Sequence, residues 1–191
     1  LDETTGKLSP LRVPSVALPA PSGPRHIAVH PTEQVVYALN DWSGEIVAYR
    51  FAADGLLTVQ QAISVFPQGK QPQAVKGTMT AAEIEVSRDG KRVYASTRTP
   101  SCQSLAVLEV NGGGRLTLVA NEEANGLIKG PRHFISSSDN RLLILANQDN
   151  DTLLAFKVNE ASGRPTLLGT AATPTRVKQP NALAFGVFTV S

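Results

Sequence analysis

The sequence predicts an all-β protein made of repeated four-stranded antiparallel units, the architecture of a β-propeller. A short motif occurs twice, as GPRHIAVHP from Gly23 and as GPRHFISSS from Gly130. The sequence around both copies also repeats, and a related unit, TAAEIEVSRDGKRVY, begins at Thr80. Each unit contains four short apolar runs separated by turn residues. Four strands recurring at roughly 40–50 residues are typical of a propeller blade.

The runs of each unit predict four strands in chain order. The first follows Pro-Arg-His or Ala-Ala-Glu and ends in a polar turn, which reads HPTEQ, SRDGK or SSDNR. The second reads VVYALND, RVYASTR or LLILANQ, and the third reads EIVAYRF, SLAVLEV or TLLAFKV. A glycine-containing turn leads to the fourth, which reads LLTVQQA, RLTLVAN or PTLLGTA. Their β-branched and aromatic residues favour strands, and Asp-Gly and Ser-Gly favour tight turns.

The repeat also predicts how the chain is divided. The three whole blades are predicted over residues 22–66, 80–124 and 130–174. Residues 1–21 resemble the outer strand of a preceding blade, and residues 179–191 resemble the inner strand of a ring-closing blade. We therefore predict one partial propeller domain over residues 1–191. Such an arc would leave strand edges unpaired, so we expect it to need a missing N-terminal half or to associate with itself through those edges.

Composition and charge exclude several classes of function. The 18 Lys and Arg residues against 16 Asp and Glu residues give a net charge of only +2, without a basic cluster, which argues against a nucleic-acid partner. No apolar run approaches the ~20 residues of a membrane span, and the first ten residues, LDETTGKLSP, lack a signal-peptide core. The single cysteine, Cys102, cannot form an intrachain disulfide, and no Cys/His cluster has metal-binding spacing. We therefore expect a cytoplasmic protein with no cofactor, no metal and no membrane partner.

These units resemble the lactonase family of seven-bladed propellers, which includes bacterial-type 6-phosphogluconolactonases and fungal carboxymuconate cyclases. The resemblance rests on GPRHIAVHP, VVYALND, TAAEIEVSRDGKRVY, GPRHFISSSDNRLLILANQDND and QPNALAF. It covers nearly the whole chain and follows the order of the family's second half. It implies a seven-bladed ring to which this chain contributes about three blades and partial strands.

The resemblance implies three functional positions. Cyclase members use the Arg of a Pro-Arg pair that begins an inner strand, which is Arg25 here. They use a Glu at the end of the following strand, where this chain has the shorter Asp41. They use an Arg at the same place one blade later, which is Arg98 here. A fourth functional residue, a His, belongs to an earlier blade of the family that this chain does not contain.

Register between the units adds further candidates, because the inner strands of a propeller line the channel and their ends meet at one mouth. We predict Asp41, His26 and Glu83 as catalytic residues, since a carboxylate or an imidazole can act as a base. The predicted substrate-binding residues are Arg25, Arg98, Arg132 and Gln148, since guanidinium groups hold carboxylates and phosphates in a bidentate manner. His133 and Trp42 are predicted to have structural roles.

Three functions are compatible with this pattern. The first is hydrolysis of a small anionic sugar lactone, of the 6-phosphogluconolactone type, at the channel mouth. The second is carboxymuconate cyclisation, an intramolecular addition that needs carboxylate clamps and one proton donor. The third is a non-catalytic propeller that serves as a platform for a ligand or a protein, since a fold does not fix a chemistry.

Overall fold

The chain forms three four-stranded antiparallel sheets, as seen in a computed structural model that describes residues 2–172 and 178–185. The first sheet comprises β1 (Pro24–Val29), β2 (Val35–Asn40), β3 (Glu45–Phe51) and β4 (Leu57–Ser64). The second comprises β5 (Ala81–Val86), β6 (Arg92–Thr99), β7 (Cys102–Asn111) and β8 (Arg115–Glu122). The third comprises β9 (Pro131–Ser136), β10 (Leu142–Asn147), β11 (Thr152–Val158) and β12 (Pro165–Ala172). Two short 3-10 turns, Gly112–Gly114 and Ala124–Gly126, are the helical segments of the described residues. The predicted all-β fold of propeller-like blades is confirmed.

The two ends of the chain contain no strand in the described residues. The sequence predicts an outer strand within residues 1–21, but residues 2–21 form turns and irregular chain. An extended segment becomes a strand only when a neighbouring strand pairs with it, and no described strand lies beside this one. Its Val16 and Leu18 instead pack on the first sheet. Residues 178–185 likewise form no strand, and the rest of the predicted inner strand, 186–191, lies outside the described residues.

Two apolar layers hold the three sheets face to face. The first layer joins sheets one and two, and its largest side chains include Tyr37, Leu39, Ile46, Ile84 and Leu108. The second joins sheets two and three, and its largest side chains include Tyr94, Leu105, Phe134, Leu145 and Phe156. The alternating apolar residues of each strand thus bury both faces of the middle sheet. This stacking fixes the three inner strands, β1, β5 and β9, side by side.

Paired tyrosines link successive sheets at equivalent positions. The hydroxyl of Tyr37 donates to the carbonyl of Gly114 at 2.8 Å, and that of Tyr94 donates to the carbonyl of Gly163 at 2.9 Å. Burial raises the pKa of both phenols to about 12. Each bond joins a second strand to the turn between the third and fourth strands of the next sheet. The repeat therefore encodes the contact between blades as well as the blades themselves.

The outer face of the first sheet differs from the equivalent faces of the other two. Ile84 in β5 is 3% exposed and Phe134 in β9 is fully buried, because each packs on the preceding sheet. Ile27, at the same register in β1, is 67% exposed, and Val29 is 57% exposed. Among the described residues no sheet precedes the first. The part of this face that β1 forms is therefore an exposed apolar surface, of the kind that is buried between sheets elsewhere in the molecule.

Candidate active site

A bulge occurs at the start of all three inner strands. The pairing of β1 with β2 shifts between Pro24 and His26, so that Arg25 is the extra residue. The pairing of β9 with β10 shifts at the same place, where Arg132 is extra, and that of β5 with β6 shifts between Ala81 and Ile84. Bulges redirect side chains and are frequent beside active sites. Sequence periodicity does not reveal them here, because the shifts in β1 and β9 lie at the first residues of the strand, before its apolar alternation begins.

The repeated Gly-Pro-Arg-His motif supplies the backbone that this geometry requires. Gly23 and Gly130 both have positive φ, +67° and +57°, a conformation that glycine adopts without strain. A Cβ on Gly23 would also lie 2.5 Å from the ring of Trp42, and one on Gly130 would collide with Asp149. The carbonyl of each glycine accepts a hydrogen bond from the residue after the second strand, Asp41 or Gln148. The motif therefore ties the start of the inner strand to the end of its neighbour.

Asp41 is bound through both of its carboxylate oxygens. Oδ1 accepts hydrogen bonds from the backbone N–H groups of Thr80 at 3.0 Å and Ala81 at 3.2 Å. Oδ2 accepts a hydrogen bond from Nη2 of Arg98 at 2.8 Å and lies 3.9 Å from Nη1 of Arg25. The carboxylate of Asp41 therefore holds the guanidinium groups of Arg98 and Arg25 near each other. It joins residues that are distant in sequence and come from neighbouring blades.

The two arginines are also fixed by the backbone at the start of β5. Nε of Arg25 donates to the carbonyl of Ala82 at 2.9 Å, and Nε of Arg98 donates to that of Ala81 at 3.1 Å. The side chain of Arg98 is only 5% exposed. Burial lowers the pKa of Arg98, the charge of Asp41 opposes this shift, and the positive charges of Arg132 and Arg25 add to it. The fold therefore brings three guanidinium groups close together, and we refer to Arg25, Arg98 and Arg132 as the arginine cluster.

Arg132 is the member of the arginine cluster without a carboxylate partner. Within residues 2–172 and 178–185, no carboxylate lies within ion-pair distance of its half-buried guanidinium. Gln148 follows β10 at the position equivalent to Asp41 and is half-buried, and its backbone N–H donates to Gly130 at 3.0 Å. No hydrogen bond of its side chain to the other predicted site residues occurs in the described part of the chain. The arginine cluster thus carries three positive charges against the single negative charge of Asp41.

A second group of side chains, the histidine–carboxylate cluster, consists of His26, Glu83 and His133. These residues occupy the same register in β1, β5 and β9. Oε1 of Glu83 lies 2.9 Å from Nδ1 of His26 and accepts a hydrogen bond from the backbone of Ile84 at 3.1 Å. Oε2 of Glu83 lies 3.3 Å from Nε2 of His133. One buried carboxylate therefore lies between two imidazoles from the blades on either side of it.

The structure adds two side chains to those predicted from sequence. His133, which the sequence predicts to be structural, contacts the same carboxylate as His26. Glu85 lies two residues after Glu83, on the same face of β5, and its Oε2 accepts a hydrogen bond from the backbone of Ser136 at 2.9 Å. Burial raises the pKa of Glu85, and the charge of Glu83 adds to the increase. Strand alternation could have identified Glu85 from the sequence, because residues i and i+2 of a strand share one face and Glu83 was already a candidate.

Known proteins share the sequence pattern of these three sheets. The family model described as "Lactonase, 7-bladed beta-propeller" matches residues 1–185. The chain belongs to this lactonase family. The predicted resemblance is thereby confirmed.

Curated relatives of this lactonase-family chain are named 6-phosphogluconolactonase. A 6-phosphogluconolactonase of Yersinia enterocolitica is 29% identical over 164 residues, which are 85% of this chain and 46% of that protein. A 6-phosphogluconolactonase of Yersinia pestis is 28% identical over the same length. The chain thus spans about half the length of the curated relatives it matches.

Solved structures show the same architecture. The periplasmic gluconolactonase PpgL of Pseudomonas aeruginosa superposes with a TM-score of 0.77 at 25% identity, over 90% of this chain and 45% of that one. A protein of Bacteroides fragilis described as a putative 6-phosphogluconolactonase superposes with a TM-score of 0.69 at 27% identity, over 83% of this chain and 40% of that one. One of these neighbours is described as periplasmic, so the cytoplasmic location stays a prediction. In the described residues, no helix has the length and apolar character needed to cross a membrane.

Proposed function

We propose that this chain forms part of a lactonase active site that hydrolyses a small anionic sugar lactone, with 6-phosphogluconolactone as the first candidate. The observation that carries the proposal is the position of the arginine cluster beside the histidine–carboxylate cluster: Arg25 and Arg132 begin β1 and β9, and Arg98, near the end of β6, binds the start of β5. The first can hold an anionic group and the second can move a proton. The names of the curated relatives support the lactone as the reacting group.

The arginine cluster is assigned to substrate binding. Its three positive charges exceed the one negative charge of Asp41, and a phosphate or carboxylate of the substrate would balance the difference. Guanidinium groups suit this role because they present parallel N–H donors to two oxygens at once. Arg132 is the best candidate for direct contact, because Arg25 and Arg98 already bind Asp41.

His26 is assigned as the general base. Its Nδ1 faces Glu83, its side chain is 39% exposed, and its Nε2 forms no hydrogen bond with the described residues. In the proposed reaction, Nε2 takes a proton from water while the water oxygen bonds to the lactone carbonyl carbon. The tetrahedral intermediate then breaks the bond between that carbon and the ring oxygen, which receives the proton back from His26. Asp41 is a weaker candidate for the base, since both of its oxygens are already bound.

Decay of 6-phosphogluconolactone measured by NMR, corrected for spontaneous hydrolysis, tests the proposal. Arg132→Ala should raise KM about 10- to 100-fold, because a charge-assisted contact contributes about 1.5–3 kcal/mol. Arg141→Ala is the matched control, since Arg141 directly precedes β10 of the same sheet, is 64% exposed and pairs with Glu160. Equal KM values for the two variants would contradict the assignment of Arg132.

His26→Asn tests the base separately. The Asn amide can still donate to Glu83 from the position of Nδ1, but it has no counterpart of Nε2. We expect kcat to fall about 100-fold or more, within the usual contribution of a general base, while KM changes little. A variant that retains full kcat would exclude His26 as the base.

A specific observation also favours carboxymuconate cyclisation as a second candidate. The three positions that the family resemblance assigns to cyclases, Arg25, Asp41 and Arg98, are joined through the Asp41 carboxylate. Incubation with carboxymuconate, with the lactone product followed by NMR, distinguishes this activity from hydrolysis. Turnover of carboxymuconate without turnover of the sugar lactone would reverse the order of the two proposals.

A further inference from the structure

The carboxylate of Glu83 contacts the two imidazoles of its cluster through different ring nitrogens. It faces Nδ1 of His26 at 2.9 Å and Nε2 of His133 at 3.3 Å. The side chain of Glu83 is only 10% exposed, whereas those of His26 and His133 are 39% and 23% exposed. The remaining nitrogens, Nε2 of His26 and Nδ1 of His133, therefore differ in position on their rings and in their surroundings.

These contacts determine where the imidazole protons lie. A nitrogen lone pair directed at a carboxylate oxygen is repelled, so each nitrogen that faces Glu83 carries a proton. In neutral His26 the proton is on Nδ1, and Nε2 is free to accept another. In His133 the proton is on Nε2.

The surroundings of the other nitrogen of His133 favour the same tautomer. Nδ1 is buried and has no hydrogen-bond partner among residues 2–172 and 178–185. A proton placed on Nδ1 would bury an N–H group without an acceptor, which is unfavourable. Burial of Nδ1 on one side and the carboxylate of Glu83 on the other thus favour the Nε2–H tautomer of His133 over the Nδ1–H tautomer.

We infer that Glu83 holds His26 and His133 in opposite tautomers, and that His133 is a positioning residue that restrains Glu83 and, through it, His26. A glutamate side chain has three rotatable bonds, and contacts on Oε1 alone leave the carboxylate free to rotate. His133 restrains Oε2, so that Oε1 stays directed at Nδ1 of His26. The consequence for catalysis rests on the proposed function of His26, whereas the tautomers themselves do not.

Nitrogen-15 NMR of histidine-labelled chain tests the tautomers directly. The chain has three histidines, and His30 is an internal reference. Nε2 of His30 lies 2.9 Å from the carbonyl of Gly90, and its Nδ1 accepts hydrogen bonds from the backbone of Thr32 and Glu33, which makes it an Nε2–H tautomer. Near pH 8, above the ordinary histidine pKa of about 6.5, we expect His30 and His133 to share the Nε2–H pattern and His26 to show Nδ1–H. An Nδ1–H or doubly protonated His133 would overturn the inference.

Two variants of His133 test the positioning role. Gln places an amide N–H where His133 has Nε2–H, whereas Leu provides no donor. In His133→Leu we expect His26 to become a mixture of tautomers and kcat to fall about 10-fold with KM unchanged, since small displacements of a catalytic group are costly. In His133→Gln we expect the Nδ1–H form of His26 to persist and kcat to remain within about 3-fold of the original value.

The outcomes separate the inference from the proposed function. Equal effects of Leu and Gln on the His26 tautomer would overturn the positioning role, whatever the activity. A wild-type protein that does not hydrolyse the lactone would refute the proposed function, and the NMR comparison of the two variants would still decide the positioning role. Loss of kcat in proportion to loss of folded protein, with the His26 tautomer unchanged, would show that His133 is merely structural.

Discussion

Replacing Asp41 with Asn should destabilise the protein strongly, because it removes the negative charge from the arginine cluster. The Asp41–Arg98 contact is 2.8 Å long, and its side chains are 13% and 5% exposed. Removing one partner of a buried ion pair typically costs about 3–5 kcal/mol. Asn keeps an oxygen that can accept the hydrogen bonds of Thr80 and Ala81, so we expect a loss of about 2–4 kcal/mol.

Glu123→Gln is the matched control for the same change from acid to amide. Its partner Lys70 lies 3.3 Å away, and the two side chains are 50% and 48% exposed. Exposed pairs of this kind contribute about 0–1 kcal/mol. Urea unfolding followed by the fluorescence of Trp42, the only tryptophan, compares the two variants. At a slope of about 2 kcal/mol per molar urea, the midpoint of Asp41→Asn should fall by roughly 1–2 M.

Phosphate should restore part of this loss. With Asp41 neutralised, the arginine cluster lacks a counter-charge, and an anion that binds only the folded state stabilises it in proportion to its occupancy. We expect inorganic phosphate to raise the midpoint of Asp41→Asn more than that of the unmodified protein at equal ionic strength in chloride. A midpoint no lower than that of Glu123→Gln, or equal stabilisation of both proteins by phosphate, would refute the reasoning.

Three further predictions address the surroundings of the site. The pKa of Glu85 is raised in the folded state from the ordinary glutamate pKa of 4.5. The folded protein therefore binds more protons than the unfolded chain as the pH rises above that value, and the free energy of unfolding falls. We expect Glu85→Gln to be more stable than the unmodified protein at pH 7 and to lose this advantage below pH 4.5, as measured by urea titrations. Gly90→Ala should lower the free energy of unfolding by about 2–4 kcal/mol more than Gly77→Ala. Both glycines have positive φ, but only a Cβ on Gly90 meets a side chain, the buried imidazole of His30, at 2.6 Å. Equal unfolding midpoints of the two variants would contradict this. Ile27→Glu should reduce self-association of this chain in sizing experiments, and Val59→Glu, at an exposed position of β4, should not.

The sequence was sufficient to predict the strands and their order. Apolar residues alternate in each run, polar turns separate the runs, and the same order recurs in three units, so local pattern and repeat gave the same answer. The sequence was not sufficient for the outer strand expected within residues 1–21. A strand depends on a partner as well as on its own residues, and no described strand pairs with this segment.

The site was predictable to the level of register and no further. Arg25, Asp41 and Arg98 follow from the repeat and the family resemblance, but the engagement of both Asp41 oxygens depends on backbone N–H groups of Thr80 and Ala81. Residue identity gives no information about such bonds. The contact of His133 with Glu83 was missed for a related reason, since only the distance between the two side chains distinguishes an imidazole in the cluster from one that packs elsewhere.

The chemistry of a repeat protein lies where its repeat is broken. Core positions of the first two sheets keep one character, as the buried tyrosines Tyr37 and Tyr94 show. At the starts of the inner strands the same register instead reads His26, Glu83 and His133, so that neighbouring blades present complementary groups to one another. Identical residues at this register would place like groups side by side, and two groups of the same charge could not form an ion pair. The three repeats therefore share a backbone at this position but differ in the side chain they place there, and this difference makes the candidate site asymmetric. The same holds after the second strand, where the first blade has Asp41 and the next blade has Arg98 as its partner.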